Sequence, residues 1–177
     1  MEISRLTLSD QEQWPYIQRQ CVDFFRRYSH RHLAREGYQR LLSLTAAELK
    51  EPGNSIITAT VRADVGSVPV GICFVAEYGA GACMIAVHPL YRKRQIGSSL
   101  IAAQLSAVGR LKCKVAIHHL ASLQTCFRAG LQAIALENDP AGKPSLIMSG
   151  ELPLFPSPSA PNADTIQEGE LLCQNPS

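Results

Sequence analysis

Between Val87 and Leu100 the chain reads Val-His-Pro-Leu-Tyr-Arg-Lys-Arg-Gln-Ile-Gly-Ser-Ser-Leu, and these are residue types that bind a polyphosphate. Arg92, Lys93 and Arg94 bring three positive charges to one turn. An apolar helix start follows, and a helix N-terminus offers an anion unpaired N–H groups and a partial positive charge. Gly97 allows close approach of the backbone to a bulky ligand, and Ser98 and Ser99 add hydroxyl donors. Leu100, Ile101, Leu105 and Val108 give the helix an apolar face, so packing fixes its position. The same run also reads as a solvated basic loop. Two other phosphate signatures, G-x-x-x-x-G-K-[ST] and a G-x-G-x-x-G after a strand, are missing from the sequence.

Composition bounds the rest. The 177 residues are 46% hydrophobic and 18% charged, which describes one compact domain with a full core. The formal charge is +2, from 17 basic and 15 acidic residues, so there is no general nucleic-acid footprint. A local basic stretch does occur from Phe25 to His32, and it reads first as a solvated helix face, otherwise as a recruiter of an acidic acceptor, an anionic substrate group or nucleic acid. The six cysteines, at 21, 73, 83, 113, 126 and 173, form no C-x-x-C pair. Cys73, Cys83 and Cys113 lie in apolar runs, where a free thiol acts as a small hydrophobe. The expectation is a reduced, cytoplasmic protein without structural disulfides. No metal site is expected, because the His118–His119 pair lacks a third ligand at a readable spacing. No window approaches a membrane-spanning length.

The elements that must hold the turn are legible from pattern. Ile3, Leu6 and Leu8 suggest a first strand, and Ser9 to Glu12 a capping box. Pro15 would instead suit the first helical turn. Ile17, Cys21, Phe24, Phe25 and Tyr28 recur at helical spacing. A second helix is expected over Tyr38 to Leu44, with Thr45 to Glu48 capping a further turn. A meander follows, with strands over Ser55–Val61, Val68–Tyr78 and Ala82–Val87. The spacing then predicts a helix from Gly97 to Val108, a strand from Lys112 to Ile117, a helix from Leu120 to Ala129 and a last strand from Ser145 to Leu152. Gly109 and Gly130 fall where helix C-caps belong. Residues 1–152 thus form an α/β, or mixed α+β, domain. Residues 153–177 are rich in Pro and Ser and read as a disordered tail.

The turn resembles the acyl-CoA-binding motif V-x-P-x-Y-R-x-x-G-x-G of the GCN5-related N-acetyltransferase (GNAT) superfamily. Val87, Pro89, Tyr91, Arg92 and Gly97 match it as they stand, with Ile96 between the motif's two glycine positions. The order of elements from Ile3 to Leu152 is similar to that family's fold, and Cys126 to Leu131 resembles its Y-E-K-x-G-F helix end. The resemblance implies a central, mostly antiparallel mixed sheet, splayed between its fourth and fifth strands and flanked by helices. It implies acetyl-CoA as co-substrate, with pantetheine along Ala86 and Val87 and pyrophosphate over Arg92, Lys93, Arg94, Gln95, Ile96, Gly97 and Ser98. A backbone N–H near Val87 would polarise the thioester.

Three departures bear on catalysis. Gln95 stands where the family has its first motif glycine. Cys126 stands where the family has its general-acid tyrosine, and it reads either as a proton donor or as a packed core residue. His119 stands at the family's usual asparagine. Glu77, a carboxylate near the end of its strand, is the first candidate for general base, and it also reads as a solvated edge residue.

The implied activity is N-acyl transfer from acetyl-CoA to a primary amine by direct attack in a ternary complex. The alternative is a weakly active or inactive relative that binds acyl-CoA or a protein partner. The acceptor, small molecule or protein, stays open, and a homodimer paired through the last strands is compatible with this fold.

Overall fold

The computed structural model describes residues 1–8, 10–29, 35–64, 66–138 and 142–152. The expected tail, Ser9 of the capping box, and His30 to His32 of the basic stretch lie outside these residues.

The α/β expectation is met by seven strands and four helices among the described residues. Strand β1 (Glu2–Arg5) leads through a 3-10 turn into helix α1 (Trp14–Tyr28), which carries Pro15 in its first turn. There the missing N–H costs nothing. Helix α2 (Arg35–Ser43) follows. Next comes a turn capped reciprocally, with Thr45 N–H on Glu48 Oε2 at 2.8 Å and Glu48 N–H on Thr45 Oγ1 at 3.2 Å.

Strands β2 (Ser55–Ala63), β3 (Gly66–Ala76) and β4 (Ala82–Val87) complete an antiparallel sheet in the order β1-β2-β3-β4. The chain continues through α3 (Ile96–Val108), β5 (Arg110–Ala116), α4 (Leu120–Arg128), β6 (Gln132–Asn138) and β7 (Pro144–Glu151). The last three strands form a second antiparallel sheet, ordered β5-β7-β6. Strand β6 is absent from the pattern reading, which placed one strand after α4 and not two.

The first sheet is covered on both faces. Trp14, Phe24 and Phe25 of α1 and Leu41 of α2 pack with Ile56, Ile72, Phe74 and Met84. On the opposite face Ile96, Leu100 and Ile101 of α3 pack with Ile57, Cys73 and Val75. Phe25 and Phe74 are fully buried, each stabilising the fold by about 2–3 kcal/mol. The register shifts between Ala59 and Thr60, which leaves Val70 as a bulge next to the end of β4. Bulges of this kind re-aim a strand near a site.

The expected splay between the fourth and fifth strands is complete. Among the described residues no ladder joins β4 to β5, and the sheet divides there into two.

Candidate active site

The cleft between β4 and β5 has a closed end and an open end. At the closed end Gly79 lies so near β5 that a Cβ on it would stand 2.2 Å from the Lys112 carbonyl oxygen. Strand β4 starts beside this contact, and the side chains of Cys83 and Cys113 meet just beyond it. At the open end β4 finishes at Val87, and β5 finishes at Ala116.

Hydrogen-bond alternation tells which backbone groups face the cleft. His88 N–H donates to Val70 at 2.8 Å, and Ala86 opposes Ile72. In an antiparallel pair, alternate residues bond to the partner strand and those between point away. Ala86 is therefore committed to β3, and the N–H groups of Ile85 and Val87 face the cleft. The backbone of Ala86, an expected coenzyme residue, is used in the ladder, and the neighbouring Ile85, which the sequence reading did not single out, faces the cleft. Across the cleft, Leu152 N–H donates to Gly109 at 2.8 Å, so Lys112, Lys114 and Ala116 turn their backbone groups toward β4. Two strand edges thus face one another.

The basic turn stands at the open end. Arg92 donates from Nε to the Val87 carbonyl at 3.1 Å and from a terminal nitrogen to the Tyr28 carbonyl at 2.9 Å. It ties the turn to the C-terminus of α1, beyond the ligand role expected of it. Arg92→Ala should lower stability by about 1 kcal/mol in urea denaturation. Lys93→Ala and Arg94→Ala, at exposed positions, should stay within about 0.5 kcal/mol. Arg94 lies over the Tyr91 ring at 5.4 Å, and Tyr91, His88, Tyr28 and Phe24 form a run of ring contacts back to α1.

Lys93 and Gln95 both have φ near +61°, and Gln95 immediately precedes the right-handed α3. A left-handed residue followed by a helical one converges successive N–H groups into an anion-binding concavity. No described side chain caps α3. Ser98 donates its hydroxyl to the Gln95 carbonyl at 2.8 Å, which leaves the first-turn N–H groups facing outward. Ile96 is buried and anchors the turn. Gln95 thus keeps a glycine-type conformation, which costs a residue with a Cβ about 1 kcal/mol. Gln95→Gly, after the offset from a freer unfolded chain, should raise stability on the order of 0.5 kcal/mol in a thermal melt.

Gly97 has a packing use beside the expected one. A Cβ there would stand 3.2 Å from Thr125 Cγ2 and 3.7 Å from Ile85 Cδ1, so the missing side chain lets α3 pack against α4 and β4.

The three catalytic candidates are not brought together. Cys126 is 5% exposed and packs against Cys113. That contact, and then burial, hold its thiol far above the ordinary range, so it is a core residue and a poor proton donor. Glu77 lies just past β3 in a 3-10 turn with φ 53°, beyond the strand expected to contain it. Its Oε1 accepts from Arg40 Nε at 3.3 Å, and Arg40 also pairs with Glu48. His119 precedes α4 at the open end, and its ring lies 4.2 Å from that of His118. Glu77 adjoins the closed end, so the length of β5, roughly 20 Å, separates these two.

No family model matches this chain, and no curated protein matches it. Solved structures do. An acetyltransferase of the GNAT family from Streptococcus pneumoniae superposes with a TM-score of 0.57 at 13% identity, over 85% of this chain and 100% of that one. A variant spermidine N-acetyltransferase SpeG from Vibrio cholerae gives 0.54 at 10% identity, over 85% and 92%. Aminoglycoside acetyltransferase AAC(6')-Ib, solved with coenzyme A and kanamycin, gives 0.53 at 11% identity, over 85% and 95%. At such identities the likeness is one of fold.

Proposed function

We propose that this chain, which has the fold of the GNAT acetyltransferases, transfers an acetyl group from acetyl-CoA to a primary amine. The observation that carries the reading is the pair of facing strand edges with an uncapped helix N-terminus at their open end. Pantetheine is a narrow, peptide-like arm with two amides, so it can pair with strand edges as an added strand does. Its pyrophosphate suits the N–H groups of Ile96, Gly97 and Ser98 beside Lys93 and Arg94. Coenzyme A thus fits the residues present, and when bound it supplies an activated thioester.

The chain's own groups then divide the work. Ile85 and Val87 direct N–H donors into the cleft, where one of them would stabilise charge on the thioester oxygen. An arm held at the open end runs along β4 toward the closed end, where Glu77 stands. Glu77, paired with Arg40 and about 13 Å along β4 from Ile85, draws the proton of the incoming amine through a relay of water molecules. His119 stands at the phosphate end. With Cys126 packed in the core, the leaving thiolate takes its proton from water. The acceptor is a primary amine on a small molecule or a protein.

No described helix is long and apolar enough to cross a membrane. The five described cysteines carry free thiols, and we place the protein in the cytoplasm on that ground. A homodimer would pair through β6, the outer strand of the second sheet, where Ile134 and Leu136 are 58% and 65% exposed.

The test is calorimetric titration with acetyl-CoA and coenzyme A on wild type and Ser98→Glu. Glutamate in the first helical turn suits the helix and opposes a phosphate. Wild type should bind, and the variant should bind at least about 100-fold more weakly, since a carboxylate set against the phosphates costs about 3 kcal/mol. Equal affinity in both would remove the pyrophosphate from this turn. Binding without turnover across an amine panel would favour the second reading, an acyl-CoA-binding protein of weak activity, to which the burial of Cys126 also points.

A further inference from the structure

Of the basic residues in the turn at the open end, Arg92 is committed inside the protein, since it clasps the Val87 and Tyr28 carbonyls. Lys93 and Arg94 are exposed and face outward. The clasp also decides what else lies within reach. It holds the last turn of α1 against the basic turn, and that turn of helix carries Arg26 and Arg27, both exposed. Ion pairs among the described residues join Arg40 to Glu48 and Glu77, and Lys114 to Glu137. Arg26, Arg27, Lys93 and Arg94 therefore meet no described carboxylate, and Asp23, one helical turn before Arg27, pairs with neither arginine. Like charges gathered in this way favour an anion.

Helix geometry separates the two arginines of α1. Phe24 and Tyr28 form the face that meets the turn, with their ring centroids 4.8 Å apart and the Tyr28 ring 4.6 Å from that of His88. Residues three or four apart on a helix are neighbours, and residues two apart are not. Arg27 follows Phe24 by three positions and borders this face. Arg26 is two positions from Phe24 and two from Tyr28, so the helix turns it to the far side.

The chemistry of the ligand completes the argument. Coenzyme A carries a pyrophosphate and, on its ribose, a 3′-phosphate monoester that holds about −1.5 to −2 charges at neutral pH. Lys93, Arg94 and the N–H groups of the α3 start answer the pyrophosphate. The monoester is a separate dianion, and it calls for a cation to one side of the turn. A guanidinium suits it, because its fork can take two phosphate oxygens at once.

We propose that Arg27 binds the 3′-phosphate of coenzyme A and makes the chain select coenzyme A over its dephospho form. This assignment rests on the acyl-coenzyme reading above.

The experiment is calorimetric titration of the full chain with coenzyme A and with 3′-dephospho-coenzyme A, on wild type, Arg27→Gln and Arg26→Gln. Glutamine is a good helix former, so both exposed substitutions leave α1 in place. Wild type should bind coenzyme A about tenfold or more tighter than the dephospho form, as one charge-assisted contact allows. In Arg27→Gln this preference should disappear, with the affinity for the dephospho form unchanged. Arg26→Gln should keep the wild-type preference. Equal affinity of wild type for the two forms overturns the assignment and leaves the acyl-coenzyme reading standing. A preference retained in Arg27→Gln also overturns it. So does a preference lost equally in Arg26→Gln, because a diffuse basic field would then do the selecting. Wild type that binds neither form overturns the assignment and the reading together.

Discussion

Gly79→Ala should cost about 3 kcal/mol or more of stability, the largest loss expected from adding a single methyl group to this chain. Two effects combine. The residue has φ +95°, a backbone region that a Cβ disfavours by about 1–2 kcal/mol. The added Cβ would also stand 2.2 Å from the Lys112 oxygen and 3.0 Å from Leu111 Cδ1. The first neighbour is backbone, so β5 itself must move, and forced repacking of that kind costs about 1–3 kcal/mol. Gly109 is the control, because at φ +79° it has open space around its Cβ position and Gly109→Ala carries only the conformational cost. Urea denaturation of both variants measures the difference. If Gly79→Ala lost no more than Gly109→Ala, the closed end of the cleft would be compliant, and the fixed spacing of β4 and β5 would need another source.

A second large effect is expected in alkali. Burial pushes the Cys21 thiol up to about 12. Cys113 lies above the ordinary thiol range too: contact with Cys126 lowers it, but contact with Cys83 and burial outweigh that. Cys126 also lies above the range, through its contact with Cys113 and its burial. All three residues are at most 6% exposed. Below the ordinary thiol value of 9.0 both states keep these protons, and stability is indifferent to them. As the pH rises past it, the unfolded chain releases protons that the folded chain retains, so the unfolded state gains. Each thiol then removes about 1.4 kcal/mol per pH unit. Cys83 is raised as well: contact with Cys113 lowers it, but contact with Cys73 and burial outweigh that. The four together remove roughly 5 kcal/mol per unit, a large part of the stability of a domain this size. The loss continues until the folded thiols ionise, near 12 for Cys21. Denaturation at pH 8, 9 and 10 should show a plateau and then this fall, and Cys21→Ala should reduce the slope by about a quarter. A slope unchanged by that substitution would mean that Cys21 ionises within the folded chain.

The elements easiest to read were those whose side chains alternate between two environments. The meander is one case, because Ile56, Ile72 and Phe74 face one core while Ile57, Cys73 and Val75 face the other. The Thr45–Glu48 cap and the Gly109 and Gly130 helix ends were equally legible, since each rests on chemistry within a few residues. Strand β6 was not. Every residue from Gln132 to Asn138 is exposed, and a register shift between Ala133 and Ala135 breaks its alternation. What defines it is pairing with β7, which no local pattern encodes. The site divides in the same way. The basic turn and helix start follow from nearby residues, but the choice of Ile85 over Ala86 depends on where β3 begins its ladder. The tie from Arg92 to Tyr28 joins residues 64 positions apart. Cys126 matched a motif position by spacing, and its neighbours in the core decide its chemistry.

The division of the sheet at the cleft also has a consequence for synthesis. All of β1 to β4, with both covering helices of one face, lies before residue 88, whereas the helices and strands that cover the other face come after residue 95. A ribosome-bound chain that has released only its first half can close one layer completely. Ile57, Ala59, Val70, Cys73 and Val75 then stand bare to water until α3 emerges. Exposed apolar surface on a growing chain is what holding chaperones bind and what drives aggregation. For this protein that interval is set by the time needed to translate the basic turn and the helix that follows it.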